Sequence, residues 1–513
     1  MSVTSSPYTA LAMAAVAAVL LYFLLRPSHR NRGGLPLPPT PGWAWPVLGH
    51  LPLLGLIPHH SLAALAKKHG PHFLLLNLGT TSPTLVVSSP AAVRSLLKSL
   101  DPLVSSRPPN AGATHMAYNY QDLVFAPYGP RWRLLRKLCN VHLFSQKALD
   151  HFSSVRESEA QDLVSRLSSS RSAAVTIGPM LTDCTTNALG RTMLGRRVFV
   201  PGEGGEFREM VLELMVLAGV FNIGDFVPEL EWLDLQGVVK KMKRLHKRFD
   251  DFFERMIEEN SNGGEMCFLG VLMALKEDAD GEGSKISRRE IKALLMDLFT
   301  AGTDTSSSTV EWAIAELIRH PSLLDALQLE LDSVAGRDRL VLESDLPNLT
   351  LLQAIIKEIF RLHPSTPLLL PRIVAEDCEA MGYHIPKDTR VLINAWAISR
   401  DPDVWKDPLE FKPVERFMPG APTAHMDVKG NDFEFIPFGA GRRICAGMSM
   451  GIRNVQFLTA ALVHAFDWEL LEGETPEKLN MEEVYGLTLQ RKVPLVVKPK
   501  PRLAPHVYAN AAK

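Results

Sequence analysis

The chain has 513 residues, enough to bury a large core, and no shift in composition divides it into several domains. Its 55 lysines and arginines are matched by 56 aspartates and glutamates, which argues against a nucleic-acid binder. The five cysteines are scattered without CxxC spacing, which excludes a cysteine-based zinc site and suits a reducing compartment.

The first element in the chain is an uncharged, apolar run from Tyr8 to Leu25, just long enough to span a bilayer as a helix. No acidic residue precedes Asp101, whereas Arg26, Arg30, Arg32, Lys67, Lys68, Arg94 and Lys98 do. By the positive-inside rule the bulk of the chain is cytosolic. A cleaved signal would need basic residues before the run and a small-residue cleavage site after it. The expected organisation is therefore a membrane anchor over 1–25, a basic and proline-rich linker over 26–42 and one large domain over 43–513. The prolines of Leu35–Gly42 predict a stiff spacer, although an ordinary loop has the same composition.

Short β signals occur at Thr84–Val87, Arg390–Ile393 and Pro494–Val497, and helical periodicity dominates elsewhere. Trp132 and Arg136 are four apart on one helix face. The stretches 260–264 and 277–284 read as solvent loops. Ser287 and Glu290 form a capping-box pattern that opens a helix running to His320, where Pro321 stops it. About 33 residues at 1.5 Å each give a helix near 50 Å. Its middle, Ala301–Ser308, is polar and contains Gly302, a costly residue inside a helix. Asp304 there needs a partner or a watery pocket. Ser306, Ser307 and Ser308 read as a solvent-facing patch.

Glu358 and Arg361 share a helix face flanked by Ile355, Ile356, Ile359 and Phe360, which suggests a buried pair. The last pattern, Phe435–Gly447, sets Cys445 in a loop with three glycines, two arginines and an aromatic, directly before an apolar helical run. Gly439 and Gly441 would let the backbone pass close to a flat partner. A thiolate is favoured at a helix N-terminus, and Arg442 and Arg443 add positive charge. One reading is a cysteine thiolate on haem iron with an arginine on a propionate, and the other is a small buried cysteine.

The spacing Phe438-x-x-Gly441-x-Arg443-x-Cys445-x-Gly447 resembles the haem-binding signature of cytochrome P450 monooxygenases. That resemblance implies a mostly α fold with small β-sheets behind an N-terminal transmembrane helix, and haem b with Cys445 as axial iron ligand and Phe438 beside it. It implies that Arg136 with Trp132, Arg372 and Arg443 meet the propionates. Ala301 and Gly302 would leave room for dioxygen, and Thr305 and Asp304 would serve oxygen activation and proton supply. Glu358 and Arg361 match the family's structural pair, which Arg416 would complete, although Val414 looks inserted between Pro413 and Glu415.

Longer segments, among them SSRPPNAGATHMAYNYQDLVFAPYGPRWRLLRK, AGTDTSSSTVEWA and LNMEEVYGLTLQRKVPL, resemble plant flavonoid B-ring hydroxylases. The implied substrate is a flat phenolic such as naringenin, dihydrokaempferol, kaempferol or apigenin, with Met116, Phe125, Leu370 and Thr488 beside it. Thr488 matches the branch that hydroxylates at 3′, whereas a smaller residue marks the 3′,5′ branch. The other implied partners are O2, the endoplasmic reticulum membrane (crossed once, with the catalytic domain facing the cytosol), and a separate NADPH-cytochrome P450 reductase. No glycine-rich dinucleotide motif is present to bind NADPH directly. Arg133 and Lys137 are either docking cations for the reductase or a solvated face. The competing readings are a peroxide-rearranging enzyme without a reductase, a non-catalytic haem carrier, and a hydroxylase of another phenylpropanoid.

Overall fold

Ser287 starts the element on which the rest of the fold hangs. The structure, a computed structural model, describes residues 34–170, 173–199, 205–260, 267–277, 286–486 and 488–509. The apolar run of 8–25 and most of the two polar stretches lie outside the described residues. Among those described, no helix is long and apolar enough to cross a membrane.

The helices that frame the site are α1 (Pro130–Cys139), α2 (Ile177–Leu194), α3 (Gly205–Gly219), α4 (Val238–Asn260), α5 (Arg288–Arg319), α6 (Thr350–Leu362) and α7 (Met448–Ala465). Helix α5 has the expected capping box. Ser287 Oγ accepts the Glu290 N–H at 3.2 Å, and Glu290 Oε2 accepts the Ser287 N–H at 2.8 Å. Its other end is capped at His320, and Pro321 opens the following helix, where a missing N–H costs nothing.

Two apolar cores share α5. Ile291, Leu294, Leu295 and Phe299 in its first half pack with Trp132 and Leu135 of α1 and with residues of α2, α3 and α4. Val310, Trp312, Ile314 and Leu317 in its second half pack with Ile355 and Ile359 of α6 and with Val455, Phe457 and Leu462 of α7. The polar stretch 301–309 is the junction between the cores.

A four-stranded sheet covers one side: β1 (Phe73–Leu76), β2 (Thr84–Val87), β3 (Arg372–Ile373) and β4 (Arg390–Ile393), in the order β1-β2-β4-β3. β2 pairs parallel to β4, with Thr84 opposite Arg390. It is buried along its length, as the run Thr-Leu-Val-Val requires of an inner strand. A second sheet joins Val175–Thr176, Phe466–Glu469 and Val496–Pro501, so the third expected strand starts two residues late. A hairpin of β5 (Glu483–Val484) and β6 (Gln490–Arg491) projects the turn containing Thr488 toward α5. The proline stretch lies along the sheet region: Pro39 O accepts the Leu75 N–H at 2.7 Å and Pro36 O the His384 N–H at 2.9 Å.

Two expectations for α5 are corrected. Ser306, Ser307 and Ser308 are buried, not solvent-facing. Ser307 donates to Thr303 O at 3.1 Å, and Ser308 donates to Leu489 O at 3.0 Å in the hairpin turn. Gly302 does not open space either, because a Cβ there would lie 2.8 Å from Leu189 Cδ1 of α2. Glycine at 302 lets two helices approach, and the open wall of α5 is at Ala301.

Candidate active site

Cys445 stands where a left-handed loop turns into α7. Gly439 and Gly441 have φ of 73° and 69°, values that L side chains rarely adopt. A Cβ at Gly441 would also lie 2.4 Å from Asp101 Oδ1, so the close approach there is to a carboxylate of this chain. The loop closes when the Cys445 N–H donates to Phe438 O at 3.0 Å. Phe438 meets Phe360 of α6 edge-on at 5.1 Å. The Cys445 side chain is exposed, whereas the other four cysteines are buried. Desolvation by the protein around it pushes its pKa up, and the Gly447 N–H and the Arg136 charge oppose that rise.

Four arginines converge beside this loop. Arg443 Nε donates to Ser105 O at 2.6 Å, a second nitrogen donates to Ala126 O, and the guanidinium lies 4.6 Å from the Trp132 ring centroid. Trp132 is fixed by donating Nε1–H to Leu123 O at 3.0 Å. Arg136, one turn along α1, donates to Ile444 O at 2.7 Å. Arg372 donates to Ala440 O at 2.7 Å and meets Asp101 Oδ1 at 3.3 Å. Arg107, which the sequence reading missed, donates to Val124 O at 3.1 Å, Leu370 O at 2.8 Å and Pro371 O at 2.9 Å. It therefore clasps the two segments that carry Phe125 and Leu370.

Burial pushes all four guanidinium pKa values down, that of Arg443 to about 10, and Arg107, Arg372 and Arg443 repel one another. Asp101 offsets part of this charge through Arg372 and Arg442. Asp122 offsets less, because burial raises its pKa to about 6. Asp297 lies against it on α5, and burial together with the Asp122 charge pushes its pKa well above the usual carboxylate range, the pattern of two carboxyls that share a proton. Asp297 Oδ2 accepts the Leu123 and Val124 N–H groups at 2.7 and 3.0 Å. The result is a buried excess of positive charge beside the Cys445 thiol. That donor set fits haem, whose propionates are anionic and whose iron takes a thiolate.

On α5, Ala301 is exposed and Thr305 half-buried. Thr305 Oγ1 donates to Ala301 O at 2.7 Å, which leaves its lone pairs free to accept. Asp304 is buried, and its partners come from the hairpin. Thr488 donates its hydroxyl to Oδ2, and Gln490 Nε2 lies 2.9 Å from each carboxylate oxygen. Thr488 was expected beside a substrate, and its hydroxyl is engaged with an acidic side chain on α5. Met116 is buried in the apolar core shared with α4, its carbonyl 3.1 Å from His246 Nδ1. Phe125 and Leu370 are half-buried on the two segments that Arg107 joins.

The ion-pair scaffold lies behind the loop. Glu358 and Arg361, both 0% exposed, pair through two bonds of 2.7 and 2.8 Å. Arg416 also donates to Glu358. Val414 does not disturb this, because Pro413–Phe417 forms one helical turn that sends Val414 outward and Arg416 inward.

The sequence matches the family model described as Cytochrome P450 over residues 38–497. It is 58% identical to a flavonoid 3'-monooxygenase of Petunia hybrida, covering 96% of this chain and 98% of that protein. It is 50% identical to a flavonoid 3',5'-hydroxylase of Solanum melongena over 93% of each. Among solved structures, a zebra fish cytochrome P450 with progesterone superimposes with a TM-score of 0.75 at 26% identity, covering 87% of this chain and all of that one.

Proposed function

The chain belongs to the cytochrome P450 family, and on that premise we propose that it hydroxylates the flavonoid B-ring at the 3′ position. The observation that carries this reading is the greater likeness to the Petunia 3'-monooxygenase than to the 3',5'-hydroxylase. The protein is a haem-thiolate monooxygenase. Its haem, when bound, supplies the chemistry that puts one atom of O2 into a C–H bond and reduces the other to water, with two electrons from NADPH through a separate reductase.

In this reading Cys445 is the iron ligand, and Gly447 N–H and Arg136 favour its thiolate. Arg136, Arg372 and Arg443 hold the propionates, with Trp132 as the platform under Arg443. Phe438 would help to hold the haem beside Cys445, and the small Ala301 side chain would leave room for dioxygen. Asp304, held by its hairpin anchors, would pass on protons taken up from solvent, and the Thr305 hydroxyl, with lone pairs free to accept, would relay them. Met116, Phe125, Leu370 and Thr488 border the flavonoid.

The domain works at the cytosolic face of the endoplasmic reticulum membrane, held by the apolar run of 8–25. An exposed apolar patch supports a membrane-facing side: Trp43, Trp45, Leu48 and Leu56 on one segment, Trp232 and Leu235 on another. Residues 48 and 79–80 join these segments, since Gly79 N–H donates to Leu48 O at 3.1 Å and Thr80 N–H to Phe226 O at 2.9 Å.

The test is turnover of naringenin by membrane-bound protein with a plant reductase and NADPH. One hydroxyl added next to the existing B-ring hydroxyl is expected. A mainly 3',5'-dihydroxylated product would favour the other branch, and no flavonoid product would refute the substrate. In the same preparation Cys445→Ala should lose the red-shifted Soret band of the reduced, carbon-monoxide-bound form.

A further inference from the structure

The turn that confronts the substrate and the acid on the oxygen-handling helix are hydrogen-bonded to each other. Asp304, Ser308 and Trp312 lie at i, i+4 and i+8 on one face of α5. All three reach the β5–β6 turn. Ser308 Oγ and Trp312 Nε1 both donate to Leu489 O, at 3.0 and 3.2 Å, and the Leu489 N–H donates to Ser365 O at 2.8 Å. The backbone at Leu489 is thus held without any help from Asp304. Against this fixed frame, Thr488 and Gln490 together give the Asp304 carboxylate three contacts. Both donors are neutral, and among the described residues no ion pair to Asp304 is formed. A carboxylate held by neutral hydroxyl and amide groups can change partners at lower cost than one locked to a guanidinium.

We infer that Thr488 and Gln490 are positioning residues for Asp304, so that the two halves of the Thr488 side chain do separate jobs. The methyl limits how the B-ring seats, and the hydroxyl sets the rotamer of the acid that feeds protons toward Thr305. Regioselectivity and the efficiency of oxygen use are joined at one residue and can be separated by substitution. This inference rests on the proton-supply role proposed for Asp304.

Thr488→Val keeps the β-branched bulk and removes the hydroxyl, whereas Thr488→Ser keeps the hydroxyl and removes the methyl. Gln490→Leu removes the second anchor at an exposed position, where folding tolerates it. Product formed per NADPH oxidised is measured together with product identity, substrate KM and the carbon-monoxide spectrum. Thr488→Val should lower product per NADPH at least threefold and raise peroxide, with the carbon-monoxide spectrum showing that the haem site is intact. Gln490→Leu should follow it. Thr488→Ser should retain wild-type coupling and yield some 3',5'-product. Amide exchange over residues 300–306, measured on the full chain, should quicken in Thr488→Val and not in Thr488→Ser. Wild-type coupling and exchange in both Thr488→Val and Gln490→Leu, with Asp304→Asn uncoupled, would overturn this inference alone. A fully coupled Asp304→Asn would overturn both the proposed role of Asp304 and the inference built on it.

Discussion

Two groups of arginines flank the same loop, and they are built on opposite plans. In the first, Arg361 and Arg416 close on Glu358, and their remaining N–H groups reach carbonyls of Ser399, Pro408, Glu410, Lys406 and Asp407. Both guanidinium groups find their anion and several carbonyls within the chain, so this group is finished when the chain has folded. In the second, Arg107, Arg136, Arg372 and Arg443 also find carbonyls, yet their charge exceeds that of Asp101 and the shared-proton pair Asp122–Asp297. Burying uncompensated charge is costly, so a protein that maintains such a cluster is prepared for an anion from outside. The first group serves the fold, and the second serves a ligand.

The largest effect should come from breaking the finished group. Glu358→Gln leaves two buried cations without their anion, which costs about 3–5 kcal/mol. It should prevent accumulation of folded protein, as read by thermal unfolding and by yield of the carbon-monoxide-binding form. A melting temperature within about 1–2 °C of wild type would erase the distinction between the two groups.

Arg443→Leu should act differently. Loss of its bonds to Ser105 and Ala126 is offset by relief of repulsion with Arg372 and Arg136. Apoprotein stability should change by only about 1 kcal/mol, while haem dissociates at least tenfold faster. Equal losses in both measurements would make Arg443 a fold residue like Arg361.

The smallest effect sharpens the comparison on the acidic side. Both Asp122 and Asp297 have raised pKa values in the folded state, so the stability they contribute is fully present below about pH 4. It declines as pH rises through about 6 and beyond. Asp297→Asn keeps an acceptor for Leu123 and Val124 and gives Asp122 a permanent donor. The variant should gain roughly 1–2 kcal/mol over wild type at pH 8 and little at pH 4.5, by chemical unfolding at the two pH values. An unchanged pH slope would mean that the carboxyls do not share a proton.

Sequence patterns revealed most where the physics is local. The capping box of Ser287 and Glu290, the i, i+3 pair of Glu358 and Arg361 and the glycine loop before Cys445 each declare themselves within a few residues. Arg416 was legible through its motif in spite of Val414, because a single turn of helix absorbs the extra residue. Asp101, Arg107 and Gln490 carry no local pattern. The partners that matter to the site, Leu370 for Arg107, Arg372 for Asp101 and Asp304 for Gln490, lie far along the chain, and only the fold brings them together. Arg107 could have been suspected from its place directly before Pro108, Pro109 and the Asn110 cap, and Gln490 from its place two residues after Thr488. The serines after Thr305 were misjudged for the same reason: their composition suggests water, and their neighbour is the turn of a distant hairpin.

The arginine cluster also has a consequence in time. Arg107 and Arg136 lie in the first third of the chain, and Cys445 lies near its end. Roughly 340 residues separate Arg107 from Cys445, so at about 5–20 residues per second the cations leave the ribosome on the order of 20–70 s before the thiol. Over that interval α1 has no Ile444 carbonyl to receive Arg136 and no Trp132–Arg443 stack. A nascent chain halted before residue 435 would carry three of the four arginines and none of the metal-binding loop. Loading of the cofactor is therefore confined to the completed polypeptide, and messages truncated late in the reading frame yield chains that can fold their first core yet never hold iron.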